Sequence, residues 1–98
     1  MRSFSRREAE ESSLRKVLAH RACCFETDTI LTGNGVDNPA SYGTFPRLLG
    51  RYVRELKLFT LKEAVRRMTS FNAERMNLKD RGRIAPGLAA DIVVFDPD

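Results

Sequence analysis

Residues 21–28, RACCFETD, decide how the rest of the chain is read. They are small, apolar and aromatic, they follow a helical pattern, and an acid closes them. Such a short run predicts a buried parallel strand ending near Thr27 or Asp28. Upstream, residues 6–20 place Leu14, Val17 and Leu18 at helical spacing, with Glu8, Glu10 and Glu11 early and Arg15 and Lys16 late. That charge order suits the helix dipole, so an amphipathic helix ending near His20 is expected. Residues 1–5 carry no periodic signal.

Downstream, residues 29–44 (TILTGNGVDNPASYGT) collect Gly33, Asn34, Gly35, Asn38, Pro39 and Gly43. These are residues of turns and left-handed backbone, and they predict a long loop of the functional or mobile kind. Pro46, a residue favoured at a first helical position, opens a second helix with Leu48, Leu49, Tyr52, Val53 and Leu56 on one stripe. Residues 60–63, TLKE, read as a capping box in which the Thr60 hydroxyl accepts from the Glu63 N–H and the Glu63 carboxylate reaches back. The helix it starts should face Leu61, Ala64, Val65 and Met68 inward. A further short helix is expected from a cap at Asn72, with Met76 and Leu78 packed inward. Gly82, Pro86 and Gly87 then mark a turn before residues 92–95, IVVF, a β-branched apolar run stopped by Asp96 and Pro97 that predicts a second strand. The fold class is therefore α/β, and mostly helical.

Bulk properties exclude several function classes. With 98 residues, 42% of them hydrophobic and 31% charged, the composition is that of an ordinary globular domain with a modest core. The net charge of +4 would favour an anionic partner if the basic residues clustered, but they alternate with carboxylates and apolar positions, as on solvated helix faces. A nucleic-acid surface is not expected. Cys23 and Cys24 are the only cysteines and do not form a disulfide framework, which favours a reducing cytoplasm. No apolar run approaches the roughly 20 residues of a membrane span, and no secretory h-region is present, so no membrane partner is expected.

Three stretches go further. Residues 27–33 (TDTILTG), residues 41–47 (SYGTFPR) with residues 49–55 (LGRYVRE), and residues 82–96 (GRIAPGLAADIVVFD) together resemble, in the same order, the carboxyl-terminal part of the N-acyl-D-amino-acid deacylases of the amidohydrolase superfamily. The last stretch is shared widely across the superfamily and names no substrate. By this resemblance RACCFETD is the eighth strand of a metal-dependent (β/α)8 barrel. Residues 1–78 would be the end of that barrel, and residues 79–98 the returning segment of a small β-sandwich domain.

The resemblance also implies a chemistry. Active sites of such barrels lie at the C-terminal ends of the strands, where Asp28 falls. In the family the aspartate at this position serves as metal ligand and proton shuttle beside zinc. Zinc lowers the pKa of its bound water to about 7, and a neighbouring carboxylate can take the proton and pass it to the departing nitrogen. Asp28 is thus the expected catalytic residue, and a metal ligand only together with ligands from other strands. Many of these deacylases carry a His-Pro-Arg triplet whose Arg can grip a substrate carboxylate through a bidentate fork. Here the matching residues are Asn38, Pro39 and Ala40, and Ala40 cannot make that ion pair. Asn38, Ser41 and Tyr42 are the remaining candidates for substrate contact.

The chain does not hold a complete site by this reading. A catalytic zinc takes three protein ligands, and the family draws most of them from earlier strands. His20, the single histidine, is expected at a helix end, where a basic side chain suits the negative end of the dipole. Cys23 and Cys24 would point to opposite faces of a strand and read as buried structural thiols. The expected function is the carboxyl-terminal part of a zinc-dependent hydrolase of linear amide C–N bonds, inactive in isolation, with no cofactor of its own. Expected partners are the remainder of the barrel or a second copy of the chain, and an N-acyl amino acid in the complete enzyme. The alternative is a non-catalytic helical module that binds a partner through Leu48, Tyr52 and Val53.

Overall fold

The charge-ordered, alanine-containing segment at the amino end forms helix α1, Arg6–Ala19, as its pattern dictates. A computed structural model describes residues 6–30, 33 and 35–98, with side chains from Glu10 onward. Three further α-helices follow: α2, Ala40–Arg47; α3, Leu61–Met68; and α4, Ser70–Arg75. Between α2 and α3 lies a π-helical segment, Leu48–Glu55.

The helix expected to open at Pro46 begins six residues earlier, so Ala40–Thr44 belongs to α2 and not to the long loop. Pro46 lies inside the helix, where it cannot donate the backbone bond that continues the α ladder. Immediately beyond it the helix widens, and Gly50, a poor α-helix former, sits in the widened stretch. The Leu56 N–H reaches the Arg51 carbonyl at 2.9 Å and the Leu58 N–H reaches Tyr52 at 2.8 Å. The wider register still delivers the predicted stripe, with Leu48 and Tyr52 buried.

These two residues form the core with Leu18 of α1 and with Phe25. Cys23, Phe45, Leu56, Leu58, Phe59 and Met68 pack around them. The Phe25 and Phe59 rings stack at 5.6 Å, a spacing at which offset aromatic pairs attract beyond simple burial. The Tyr52 hydroxyl lies 3.4 Å from both Glu11 carboxylate oxygens and ties the π-helical segment to α1.

Neither predicted strand forms a ladder among the described residues. A strand exists by pairing its backbone with a neighbour. At residues 21–28 the pairing goes elsewhere: the Phe25 N–H donates to the Arg67 carbonyl at 3.2 Å, and the Phe25 carbonyl accepts from Asn72 Nδ2 at 2.8 Å. The segment at residues 90–96 is likewise non-helical and unpaired, with Val93 82% and Val94 93% exposed.

The helices depart from their expected faces in ways that share one cause. Ala64 is fully buried as predicted, but Leu61 and Val65 stay exposed and Arg67 is buried in their stead. Helix α4 starts at Ser70, which puts Asn72 inside it, and Met76 and Leu78 lie exposed beyond its end. Cys24 is exposed and Cys23 half-buried, so the pair is not the buried couple expected. In each case apolar surface is left uncovered by any element among the described residues. The accessible surface is 8272 Å², against roughly 5,700 Å² from the mass scaling of folded monomers. The radius of gyration is 16.0 Å, where roughly 13 Å is usual for this length.

The carboxyl-terminal turn is held more firmly. Gly82 adopts φ +85°, and a Cβ there would stand 2.6 Å from the Ala73 Cβ, so the backbone crosses α4 at the distance only glycine permits. The Ala89 N–H donates to the Asp80 carbonyl at 2.7 Å. Arg81 bridges Asp80 at 3.0 Å and Asp91 at 3.3 Å, which aims the apolar run that follows.

Candidate functional site

Asp28 stands where the segment leaving the core turns away. Its φ is +48°, left-handed backbone that short polar residues tolerate best. The side chain is exposed, and no hydrogen bond or ion pair engages it among the described residues. The carboxylate is thus presented at the end of the predicted strand without the strand ladder itself. Leu31 and Thr32 of the motif, and Asn34 just beyond it, lie outside the described residues.

The segment leading to Asp28 is anchored by two groups that the sequence reading did not single out. Arg67 is 3% exposed. Its Nη1 donates to the Leu18 carbonyl at 2.5 Å and its Nε to Glu63 at 2.8 Å. The guanidinium lies 5.0 Å from the Phe59 ring centroid and 5.6 Å from that of Phe25, within cation–π range. Asn72 supplies the second anchor, on the Phe25 carbonyl. A signal for Arg67 was present: it follows Ala64 by three residues and Glu63 by four, which puts a cation on the apolar face with its partner one turn back. Asn72 reads in the sequence as a helix cap, but it lies inside α4.

Glu63 plays one half of the predicted capping box. Its N–H donates to Thr60 Oγ1 at 3.2 Å, but its carboxylate turns to Arg66 and Arg67 and does not reach back. Hydrogen bonds from Arg66, then from Arg67, hold the Glu63 carboxyl down at about 2, below its ordinary 4.5.

Asn38 lies just before α2, and Ser41 and Tyr42 lie in its first turn. Asn38 Oδ1 accepts from the Ala40 N–H at 3.0 Å, an Asx-type turn, and the Asn38 carbonyl accepts from Ser41 at 2.9 Å. The Tyr42 hydroxyl donates to Asp37 at 2.9 Å and its ring is 65% exposed. The Ser41 Oγ is shielded and makes no hydrogen bond. Asn38 and Tyr42 are thus engaged locally, and no hydrogen bond joins any of the three to Asp28 among the described residues.

A zinc ion needs three converging ligands. Among the described residues no three His, Cys, Asp or Glu side chains gather closely enough to hold an ion. His20 terminates α1, with its Nδ1 accepting from the Ala22 N–H at 3.2 Å. Burial pushes the Cys23 thiol up, with Arg67 opposing and Cys24 reinforcing the shift, the wrong direction for a thiolate ligand or nucleophile. Among the described residues, no helix is long and apolar enough to cross a membrane. An apolar concavity of about 560 Å³ lies elsewhere, between Phe45, Leu49, Val53 and Leu61 and the tail residues Val93 and Phe95.

With this geometry, the likeness to known proteins is consistent along nearly the whole chain. The profile of the Amidohydrolase family matches residues 7–98. An N-acyl-D-glutamate deacylase of Alcaligenes xylosoxydans xylosoxydans is 44% identical over 89 residues, which are 91% of this chain and 18% of that protein. A D-aminoacylase of the same organism is 41% identical over 88 residues, 90% of this chain and 18% of its own length. The crystal structure of N-acyl-D-glutamate deacylase from Bordetella bronchiseptica, complexed with zinc and a phosphonate inhibitor that mimics the tetrahedral intermediate, superposes with a TM-score of 0.81 at 42% identity. The match covers 90% of this chain and 18% of that one. The chain therefore spans less than a fifth of the length of the relatives it matches.

Proposed function

Because the chain belongs to the amidohydrolase family, we propose that it is the carboxyl-terminal part of a zinc-dependent N-acyl-D-amino-acid deacylase, a hydrolase of linear amide C–N bonds. The observation that carries this reading is the shared architecture at 42% identity with a deacylase that binds zinc and a phosphonate inhibitor, over 90% of this chain. Residues 1–78 would complete a (β/α)8 barrel and residues 79–98 would join a small β-sandwich. The excess of accessible surface supports this reading, since Ile84, Ile92, Val93 and Val94 are apolar and exposed and gain by being covered.

In that assembly Asp28 is the catalytic carboxylate. Its exposed side chain has no competing partner among the described residues, and its left-handed backbone turns it out of the packed segment. Zinc, held by Asp28 together with ligands from the rest of the barrel, would provide the activated water, and Asp28 would also contribute the acid–base carboxylate beside it. Asn38, Ser41 and Tyr42 would face the substrate. Ala40 has no charge to offer, so a substrate carboxylate is not gripped at this position. Without the rest of the barrel the chain would be inactive, its partners being that remainder or a second copy of itself.

The test is a hybrid enzyme in which residues 8–98 replace the matching segment of the Alcaligenes N-acyl-D-glutamate deacylase. Release of D-amino acid from N-acyl-D-amino acids, with zinc supplied, is the expected outcome. A folded, zinc-loaded hybrid that hydrolyses none of them would refute the proposal.

A further inference from the structure

The geometry points to Arg67 and Asn72 as positioning residues that fix the direction in which Asp28 is presented, an inference that rests on the assignment of Asp28 above. Phe25, three residues before Asp28, is held at both of its backbone groups. Its N–H donates to the Arg67 carbonyl at 3.2 Å, and its carbonyl accepts from Asn72 Nδ2 at 2.8 Å. Its ring is 4% exposed, lies against Phe59 at 5.6 Å and sits under the Arg67 guanidinium at 5.6 Å. One arginine thus grips Phe25 by its backbone carbonyl and by its charge. The same guanidinium bonds the Leu18 carbonyl on the incoming side of the segment.

The consequence follows from chain geometry. Between Phe25 and Asp28 only Glu26 and Thr27 intervene, so fixing the Phe25 peptide planes leaves few torsions by which the carboxylate can wander. Acid–base chemistry needs that economy, because a misplacement of about 1 Å costs on the order of a hundredfold in rate. Asn72 is the cleaner probe of the two, since it is half-buried and bears no charge, whereas Arg67 also holds the core together.

The experiment compares the 98-residue chain with its Asn72→Leu variant, which keeps about the same size and loses the donor without adding a charge. Amide exchange and backbone chemical shifts are followed by NMR. The Phe25 amide, which donates to the Arg67 carbonyl, is expected to be protected in the parent and to exchange roughly tenfold faster in the variant, because losing the Asn72 bond on the Phe25 carbonyl lets the segment open more often. The shifts of Asp28 should move from left-handed toward coil values while those of α3 and α4 hold. An unprotected Phe25 amide in the parent, an unchanged Phe25 and Asp28 in the variant, or a loss spread evenly over α3 and α4 would each overturn the inference. In the hybrid enzyme, Asn72→Leu should lower kcat about tenfold with KM within twofold, and a raised KM at constant kcat would overturn it as well. Failure of the parent hybrid to turn over would refute the proposed function and leave the exchange data to decide the clamp.

Discussion

Replacing Arg67 by alanine tests the internal architecture most severely. The side chain donates from Nη1 to the Leu18 carbonyl at 2.5 Å, and a hydrogen bond from a charged donor contributes roughly 1.5–3 kcal/mol. The contacts over Phe59 at 5.0 Å and Phe25 at 5.6 Å add about 1 kcal/mol together. Truncation also leaves the Leu18 carbonyl without its donor and opens a void beside two rings. A loss of about 3 kcal/mol is expected, against a total stability of roughly 5–15 kcal/mol for a domain of this length. In urea unfolding followed by circular dichroism, with a slope of roughly 1.5 kcal/mol/M, the midpoint should fall by about 2 M. Arg67→Lys keeps the charge without the planar fork and should recover only part of the loss. A cost below about 1 kcal/mol for Arg67→Ala would refute the claim that this cation organises the core.

Other outcomes follow from single residues. The Glu63 carboxyl is held down at about 2 from 4.5, so the stability it contributes is present above pH 4.5 and lost as pH falls from there toward 2. Acid titration of helicity should show a loss in that window that Glu63→Gln flattens. Gly82→Ala places a methyl 2.6 Å from the Ala73 Cβ at a φ of +85° and should destabilise by about 2 kcal/mol in the same urea assay. Cys24 is exposed whereas burial raises the Cys23 thiol, so iodoacetamide should modify Cys24 first, as mass mapping would reveal. Equal rates at the two thiols would contradict that ordering.

Legibility in the sequence tracked how local the governing physics is. Helix α1 and the Thr60 N-cap were readable because charge order and capping act within one or two turns. The stripe Leu48, Tyr52 and Leu56 was readable from its spacing, but not the π register that carries it, since Pro46 fits a first helical position whereas the helix begins at Ala40. Residues 21–28 and 90–96 read as strands because their composition is that of strands, and composition reports the environment a segment fits, whether or not the neighbouring strand is there to pair with it. The same reason left Leu61, Val65 and Leu78 outside the core that their pattern predicted. Asp28 was named from motif context, and its left-handed turn had no local signal. Arg67 escaped notice because a buried cation is recognised by the carbonyl and rings that converge on it from Leu18, Phe25 and Phe59, which lie far away in sequence.

The most direct measurement of the whole account is the turnover of the hybrid enzyme carrying Asp28→Ala beside its parent. The account predicts a fall of about a thousandfold in kcat, within the range a positioned acid–base group contributes, with the thermal unfolding of the hybrid unchanged. A variant that retains kcat to within tenfold would contradict the role given to Asp28 and, with it, the reading of this chain as the segment that brings a catalytic carboxylate to a larger barrel.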